Sequence, residues 1–240
     1  MRFTWILVLV GCGRLGFETS SDGAIGGGGD GGAMGDALDD APMNNPDAAD
    51  MTVTFGENTG NDVQNVTHDT YISSDEGAFN FGATDDIRIE RDQGARGLIR
   101  FDVSQLSPAS TVLSARIQFY VETSTASATI SFHAVSEAWD EGTADGANGV
   151  ANFTFRQGLI PWSLLGASAP ASIGGVLGTF PGTANGPIDV DLPASLVQDW
   201  VTTPANNHGL LLASNSDQTV RLVSSDGNNN MRPVLTVTYE

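Results

Sequence analysis

A segment of ten residues, 112–121, alternates between apolar and polar side chains. Its apolar members recur at every second position and are Ala115, Ile117, Phe119 and Val121. A period of two places such residues on one face of a β-strand, whereas a helical face requires apolar residues three or four positions apart. The segment therefore predicts a strand with one buried face and one polar face.

Further short runs of the same kind predict more strands, at residues 87–90, 129–135, 188–192, 209–213, 220–224 and 234–239. Clusters of Gly, Asn, Asp, Pro and Ser separate these runs, and such residues favour turns. One helix is expected at residues 194–201, where Leu196, Val197 and Trp200 would share a side before Pro204. Many short strands and one short helix predict an all-β fold, a jelly-roll-like β-sandwich.

The charge of the chain excludes two classes of function. Its 240 residues include 29 acidic side chains and ten basic ones, all arginine, which gives a net charge of -19. Binding to nucleic acid through phosphates requires a basic surface, as does binding of a polybasic segment to an anionic membrane. We therefore expect no nucleic-acid partner. The single cysteine, Cys12, also excludes an intrachain disulfide.

The N-terminus has the features of an export signal. Arg2 precedes a short apolar run, residues 3–10, which is far shorter than the roughly 20 residues that span a bilayer. The run ends in Leu-Val-Gly before Cys12 and resembles the bacterial lipobox, in which cleavage precedes a cysteine that becomes diacylated. The resemblance implies a signal peptide at residues 1–11 and a lipid anchor on Cys12. We expect an exported lipoprotein of the cell envelope, at the outer membrane or cell surface.

Residues 12–50 differ in composition from the rest of the chain. They are rich in Gly and Asp, carry eight acidic side chains against Arg14, and show no apolar period. Such a segment buries too little surface to offset its conformational entropy. We predict a disordered tether here and a folded domain at residues 51–240, whose 21 acidic side chains and eight arginines give a net charge of -13.

Several motifs of the folded part resemble the DNRLRE domain family, also described as carbohydrate-binding module family 96. They occur in the family's order, and they are Asp69-Thr70-Tyr71, Asn80-Phe81-Gly82, Gly97-Leu98-Ile99-Arg100-Phe101-Asp102-Val103, Val112-Leu113-Ser114-Ala115-Arg116-Ile117, Trp139-Asp140-Glu141, Asn207-His208-Gly209-Leu210-Leu211-Leu212 and Arg232-Pro233-Val234-Leu235. The resemblance implies a β-sandwich that binds polysaccharide at the cell envelope. We expect the domain to be monomeric.

Aromatic and arginine side chains are the candidate ligands of a sugar. Aromatic rings stack on the C–H faces of pyranoses, and Trp162, in a Gly- and Pro-rich loop, is the best candidate for an exposed ring, followed by Trp139. Arg88 and Arg91 belong to the densest group of arginines and would bind the carboxylates of an acidic polysaccharide such as alginate or pectin. The favoured alternative is that these arginines pair with nearby acidic residues.

Arg100 and Asp102 lie two residues apart and would share a strand face. A structural arginine, paired with an acid or bound to backbone, is favoured over a ligand-binding pair.

No motif typical of a catalytic centre is found in the sequence. It contains no G-x-S-x-G, no H-E-x-x-H, no P-loop and no G-x-G-x-x-G after a strand. Asp189 and Asp191 would share the polar face of one strand, which is typical of a solvated surface. We therefore predict a non-enzymatic protein. Two alternatives stay open: a structural or adhesion module that binds protein partners, and a polysaccharide lyase or glycosidase.

Acid-rich loops such as residues 69–76 offer oxygens for a structural Ca²⁺. The sequence assigns no ligands to such an ion, and it indicates no other cofactor.

Overall fold

The computed structural model describes residues 49–57, 63, 65–91, 94–228 and 230–240. The signal peptide, Cys12 and nearly all of the tether lie outside these residues, so those predictions stand as they were made. None of the described helices is long and apolar enough to cross a membrane.

The described chain is built mainly from strands. They are β1 (Met51–Gly56), β2 (Thr67–Ile72), β3 (Phe79–Asn80), β4 (Asp86–Ile89), β5 (Arg96–Phe101), β6 (Val112–Thr123), β7 (Thr129–Val135), β8 (Ala147–Asn148), β9 (Phe155–Gln157), β10 (Ile160–Pro161), β11 (Ile173–Pro181), β12 (Gly186–Leu192), β13 (Leu210–Ser214), β14 (Val220–Val223) and β15 (Val234–Tyr239). Helix α1 (Ala194–Thr202) precedes a single 3₁₀ turn, Pro204–Asn206. The all-β prediction and the single short α-helix are confirmed.

Two antiparallel sheets form the sandwich. In the six-stranded sheet, β6 pairs with β12 along one edge and with β15 and β14 along the other, while β1 extends from β15 and β4 from β14. The five-stranded sheet has the order β11-β7-β13-β5-β2. The pairs β9–β10 and β3–β8 form two small ribbons.

The main core fills the space between the two sheets. Ile117 and Phe119 of β6 contribute from the six-stranded sheet, while Ile99 and Leu210 contribute from the five-stranded sheet. The period of two in residues 112–121 is confirmed, because its apolar members are buried and its polar members face outward. Each large apolar side chain buried in this way stabilises the fold by about 1.5–3 kcal/mol.

A second, smaller core covers the other face of the five-stranded sheet. Leu98 and Leu211, which alternate with main-core residues on β5 and β13, pack there against Trp139 and Trp162. Both tryptophans belong to the long segment between β7 and β11, residues 136–172, which folds back over the sheet. The outer face of the five-stranded sheet is therefore closed to solvent over this area.

Candidate functional site

The outer face of the six-stranded sheet carries an open groove of about 690 Å³. Its lining is polar, and we call it the outer-face groove; it is formed mainly by Ser114, Arg116, Gln118, Asp189, Asp191 and Thr236. The polar half of the alternating pattern in β6 supplies the first three of these side chains. The pattern that buries one face of the strand therefore also builds the groove on the other face.

The register of the sheet determines which side chains lie opposite one another in the groove, in rows that run from strand to strand. Arg116 lies opposite Asp191 of β12 on one side and Thr236 of β15 on the other. Gln118 lies opposite Asp189 in the next outward-facing row. Directly opposed residues have Cβ atoms about 4.5–5.5 Å apart, so their side chains are in reach of one another.

Hydrogen bonds fix the side chains of these rows. Arg116 Nε donates to Asp191 Oδ1 at 2.7 Å, and its Nη1 lies 3.6 Å from Asp189 Oδ2. Gln118 Nε2 donates to Asp189 Oδ1 at 3.0 Å. The hydrogen bond to Asp191 also raises the pKa of the Arg116 guanidinium. The groove therefore presents one guanidinium, one amide and two carboxylates that are hydrogen-bonded to one another in pairs.

One aromatic ring lies at the end of this groove. An adjoining pocket of about 210 Å³ shares Gln118 and Asn230 with the groove and is lined by Tyr120 and Pro187. Tyr120 is half-buried and follows Gln118 on the outward face of β6. A ring beside fixed polar groups can stack on a sugar while those groups bind its hydroxyls. Tyr120 and Gln118 are not among the ligands predicted from the sequence, although the outward half of the alternating pattern contains both.

The prediction that Trp162 has an exposed ring is wrong. Trp162 is only 3% exposed, and its Nε1–H donates to Asn152 O at 2.9 Å. Trp139 is 1% exposed, and its Nε1–H donates to His208 O at 2.8 Å. Both rings are buried because residues 136–172 fold over the five-stranded sheet, where the tryptophans supply the apolar surface of the second core. Neither ring is available as a sugar platform in this structure, whereas Trp200 is core as expected.

The arginines that are close together in the sequence bind different groups within the domain. Arg88 Nη2 lies 3.2 Å from Glu90 Oε2, and Arg91 makes two hydrogen bonds to the carboxylate of Asp217, at 2.6 and 2.5 Å. Arg96 donates from Nη1 to Gly166 O and Ser168 Oγ. These contacts agree with the alternative of internal pairing, and a carboxylate ligand at Arg88 or Arg91 would have to compete with Glu90 or Asp217.

Arg100 differs from the expected structural pair. Its guanidinium lies 5.5 Å from the centre of the Trp139 ring. Within the described ranges it forms no ion pair with Asp102, whose Oδ1 instead accepts a hydrogen bond from Ser104 N at 2.9 Å. Arg100 lies on β5, where Leu98 joins the second core while Ile99 and Phe101 join the main one, and Asp102 follows the end of this strand.

No group of three or more Asp, Glu, His or Cys side chains is arranged to hold a metal ion in the described part of the chain. Asp69, the first acid of the loop considered for Ca²⁺, lies on β2 and is buried, and its Oδ2 accepts a hydrogen bond from Ser225 N at 2.7 Å. Burial, with Glu141 and Asp226 nearby, raises its pKa to about 8. Asp69 is therefore a buried internal acceptor.

Comparison with protein families agrees with the motifs. No curated protein matches the chain. The model of carbohydrate-binding module family 96 matches residues 61–151, which include Arg116 and Gln118 of the outer-face groove. The family resemblance drawn from the sequence motifs is thus confirmed over residues 61–151, which are similar to this family.

Proposed function

We propose that this protein is a non-catalytic surface lipoprotein whose β-sandwich binds polysaccharide in the outer-face groove. The family match supports carbohydrate binding. The single observation that carries the choice of site is the open polar groove of about 690 Å³, in which Arg116, Gln118, Asp189 and Asp191 are already held by mutual hydrogen bonds.

The two outer faces of the sandwich differ in what a glycan can reach. The segment 136–172 covers much of the five-stranded sheet, whereas the groove lies open across β12, β6 and β15. Neighbouring strands are about 4.8 Å apart, so the three strands span about 10 Å. This width gives room for a short stretch of polysaccharide, and Tyr120 lies beyond Gln118 along β6.

The carboxylates of the groove favour binding over hydrolysis. Glycosidases place two carboxyl groups on opposite sides of the scissile bond. Asp189 and Asp191 instead stand two residues apart on the same face of β12, and both lie within 4 Å of Arg116. This arrangement suits two acceptors for sugar hydroxyls on one side of a ligand.

Replacing Gln118 with alanine should weaken polysaccharide binding by about threefold to tenfold, since one hydrogen bond contributes about 0.5–1.5 kcal/mol. Binding would be measured by calorimetry against a panel of neutral and acidic polysaccharides, with protein expressed without residues 1–12. Gln105→Ala is the matched control, because Gln105 is exposed on a turn outside the groove. Equal affinities for the two variants would place the site elsewhere, and no binding to any polysaccharide would refute the function.

Replacing Cys12 with serine should abolish lipid attachment, because the chain has no other cysteine to acylate. Labelled palmitate added to growing cells should enter the parent protein and not the Cys12→Ser variant. A parent protein without label would contradict the lipoprotein assignment, whatever the outcome of the polysaccharide experiment.

A second candidate function, binding to a protein partner, is favoured by exposed apolar side chains. Leu159 is 85% exposed at the β9–β10 turn, and Val176 on edge strand β11 is 61% exposed. Leu165, between these elements, is also exposed. Apolar side chains that form one contiguous exposed patch mark protein-binding sites, and the adhesion alternative therefore remains the second proposal.

A further inference from the structure

Arg100 is unusual among the arginines of the described chain. The other seven each donate a hydrogen bond, to a carboxylate or to a backbone carbonyl; they are Arg88, Arg91, Arg96, Arg116, Arg156, Arg221 and Arg232. No hydrogen bond from the Arg100 guanidinium is found within the described ranges, although the side chain is half-buried above the Trp139 ring. Its N–H groups therefore have no protein acceptor and can donate to a ligand.

These donors border a small cavity, which we call the Arg100 notch. Its volume is about 180 Å³, and its lining includes His68, Arg100, Asp102, Trp200, Pro204 and Asn207. This volume corresponds to about six water molecules at ~30 Å³ each. The notch is therefore large enough for one small polar molecule or a single ring and too small for a length of polymer.

A second unused group belongs to the same cavity. Asn207 donates from Nδ2 to Phe101 O at 2.7 Å, but its Oδ1 is buried and has no partner in the described part of the chain. Buried acceptors without partners are rare in folded proteins and call for an explanation. This atom is closed to solvent, so a ligand hydroxyl would reach it only after the Asn207 side chain turns towards the notch.

The charges around the notch decide between an anionic and a neutral ligand. Asp102 lines the cavity, and Glu141 and Asp140 lie close enough to act on the Arg100 charge. Three carboxylates thus act on one guanidinium, and none of them forms an ion pair with it among the described residues, so an incoming carboxylate or phosphate would meet net repulsion. A neutral hydroxyl group can accept a hydrogen bond from Arg100 and donate one to Asp102.

We propose that the Arg100 notch is a second binding site, separate from the outer-face groove, which holds one neutral sugar residue through adjacent hydroxyl groups. One hydroxyl oxygen accepts from the Arg100 guanidinium, and a neighbouring hydroxyl donates to the Asp102 carboxylate. The size of the cavity restricts it to a free monosaccharide, a chain end or a single branch.

Titration with methyl glycosides of glucose, galactose and mannose, and with glucuronate, tests the proposal. The probes would be added to the protein expressed without residues 1–12, and the readouts would be the NMR signals of the Asn207 side-chain amide and of Trp139 Nε1–H, which lie at or beneath the notch. We expect at least one neutral glycoside to shift both signals in a saturable manner, and Arg100→Gln to weaken that binding by about tenfold or more, because it removes hydrogen bonds from a charged donor.

Two further variants keep the result interpretable. Asp102→Asn retains an Oδ1 acceptor for Ser104 N and should fold even if Arg100→Gln does not; it should shift the preference several-fold towards glucuronate. Gln118→Ala, in the outer-face groove, should leave the shifts of the notch signals unchanged. The proposal for the notch is therefore tested separately from the proposal for the groove. The proposal is overturned if no neutral glycoside shifts the signals in a saturable manner, or if the parent protein prefers glucuronate.

Discussion

Replacing Trp162 with alanine should lower the free energy of unfolding by about 3–5 kcal/mol, the usual cost of truncating a large buried aromatic side chain. The ring is 3% exposed and packs in the second core with Leu98 and Leu211. The substitution also removes the Nε1–H donor from Asn152 O and leaves a cavity beneath residues 136–172. Denaturant unfolding followed by circular dichroism measures the loss.

Two controls separate a core role from a role in binding. Leu159→Ala, in the same segment but 85% exposed, should change the free energy of unfolding by no more than about 0.5 kcal/mol. Trp162→Phe keeps most of the apolar volume and should cost less than the alanine variant. Polysaccharide affinity of folded Trp162→Ala should equal that of the parent protein. A variant with parental stability and lost affinity would show that the ring is a sugar platform after all.

Replacing Asp69 with asparagine should remove a pH dependence of stability that the parent protein shows between about pH 4 and pH 8. Asp69 has a pKa of about 8 in the folded state, mainly because it is buried, and a value near 3.9 is typical of an unfolded chain. Between these values the unfolded state loses the proton and the folded state keeps it. The parent protein should therefore lose stability as the pH rises, by up to about 1.4 kcal/mol per pH unit from this group.

The asparagine variant retains an Oδ1 acceptor for Ser225 N and cannot ionise. Its free energy of unfolding should match the parent's near pH 4 and exceed it near pH 8, as measured by urea unfolding at a series of pH values. Asp145→Asn, at an exposed loop position, controls for the removal of one negative charge from an acidic domain. Parallel pH profiles for the parent and Asp69→Asn would show that Asp69 is ionised in the folded protein.

Many of the strands could be predicted because strand alternation is a local property. The period of two in residues 112–121 specified which side chains of β6 are buried, whereas β11, whose sequence is rich in Gly, was not predicted. The short helix was predictable for the same reason, since Val197 and Trp200 share its buried side. Such patterns do not depend on which distant element supplies the other half of the core.

The candidate sites could be predicted only in part, because they depend on pairing between distant segments. The groove needs Asp189 and Asp191 beside Arg116, which is about 75 residues earlier in the chain. The buried position of Asp69 depends on Ser225, more than 150 residues away. Neither pairing produces a recognisable pattern in the local sequence. Acidic side chains that the sequence predicts to be solvated therefore acquire specific partners only in the folded state.

By itself, the sequence determined the all-β class, the buried face of β6, the similarity of residues 61–151 to carbohydrate-binding module family 96 and the acidic net charge. Only the tertiary structure decided whether the tryptophans are exposed and which groups the arginines contact. Arg88 and Arg100 are close in sequence, yet their strands, β4 and β5, belong to different sheets. Arginines that are clustered along the chain are therefore divided between the two sheets. Trp162 is buried because its loop covers a sheet face whose apolar residues come from β5 and β13, and exposure is a property of that long-range packing.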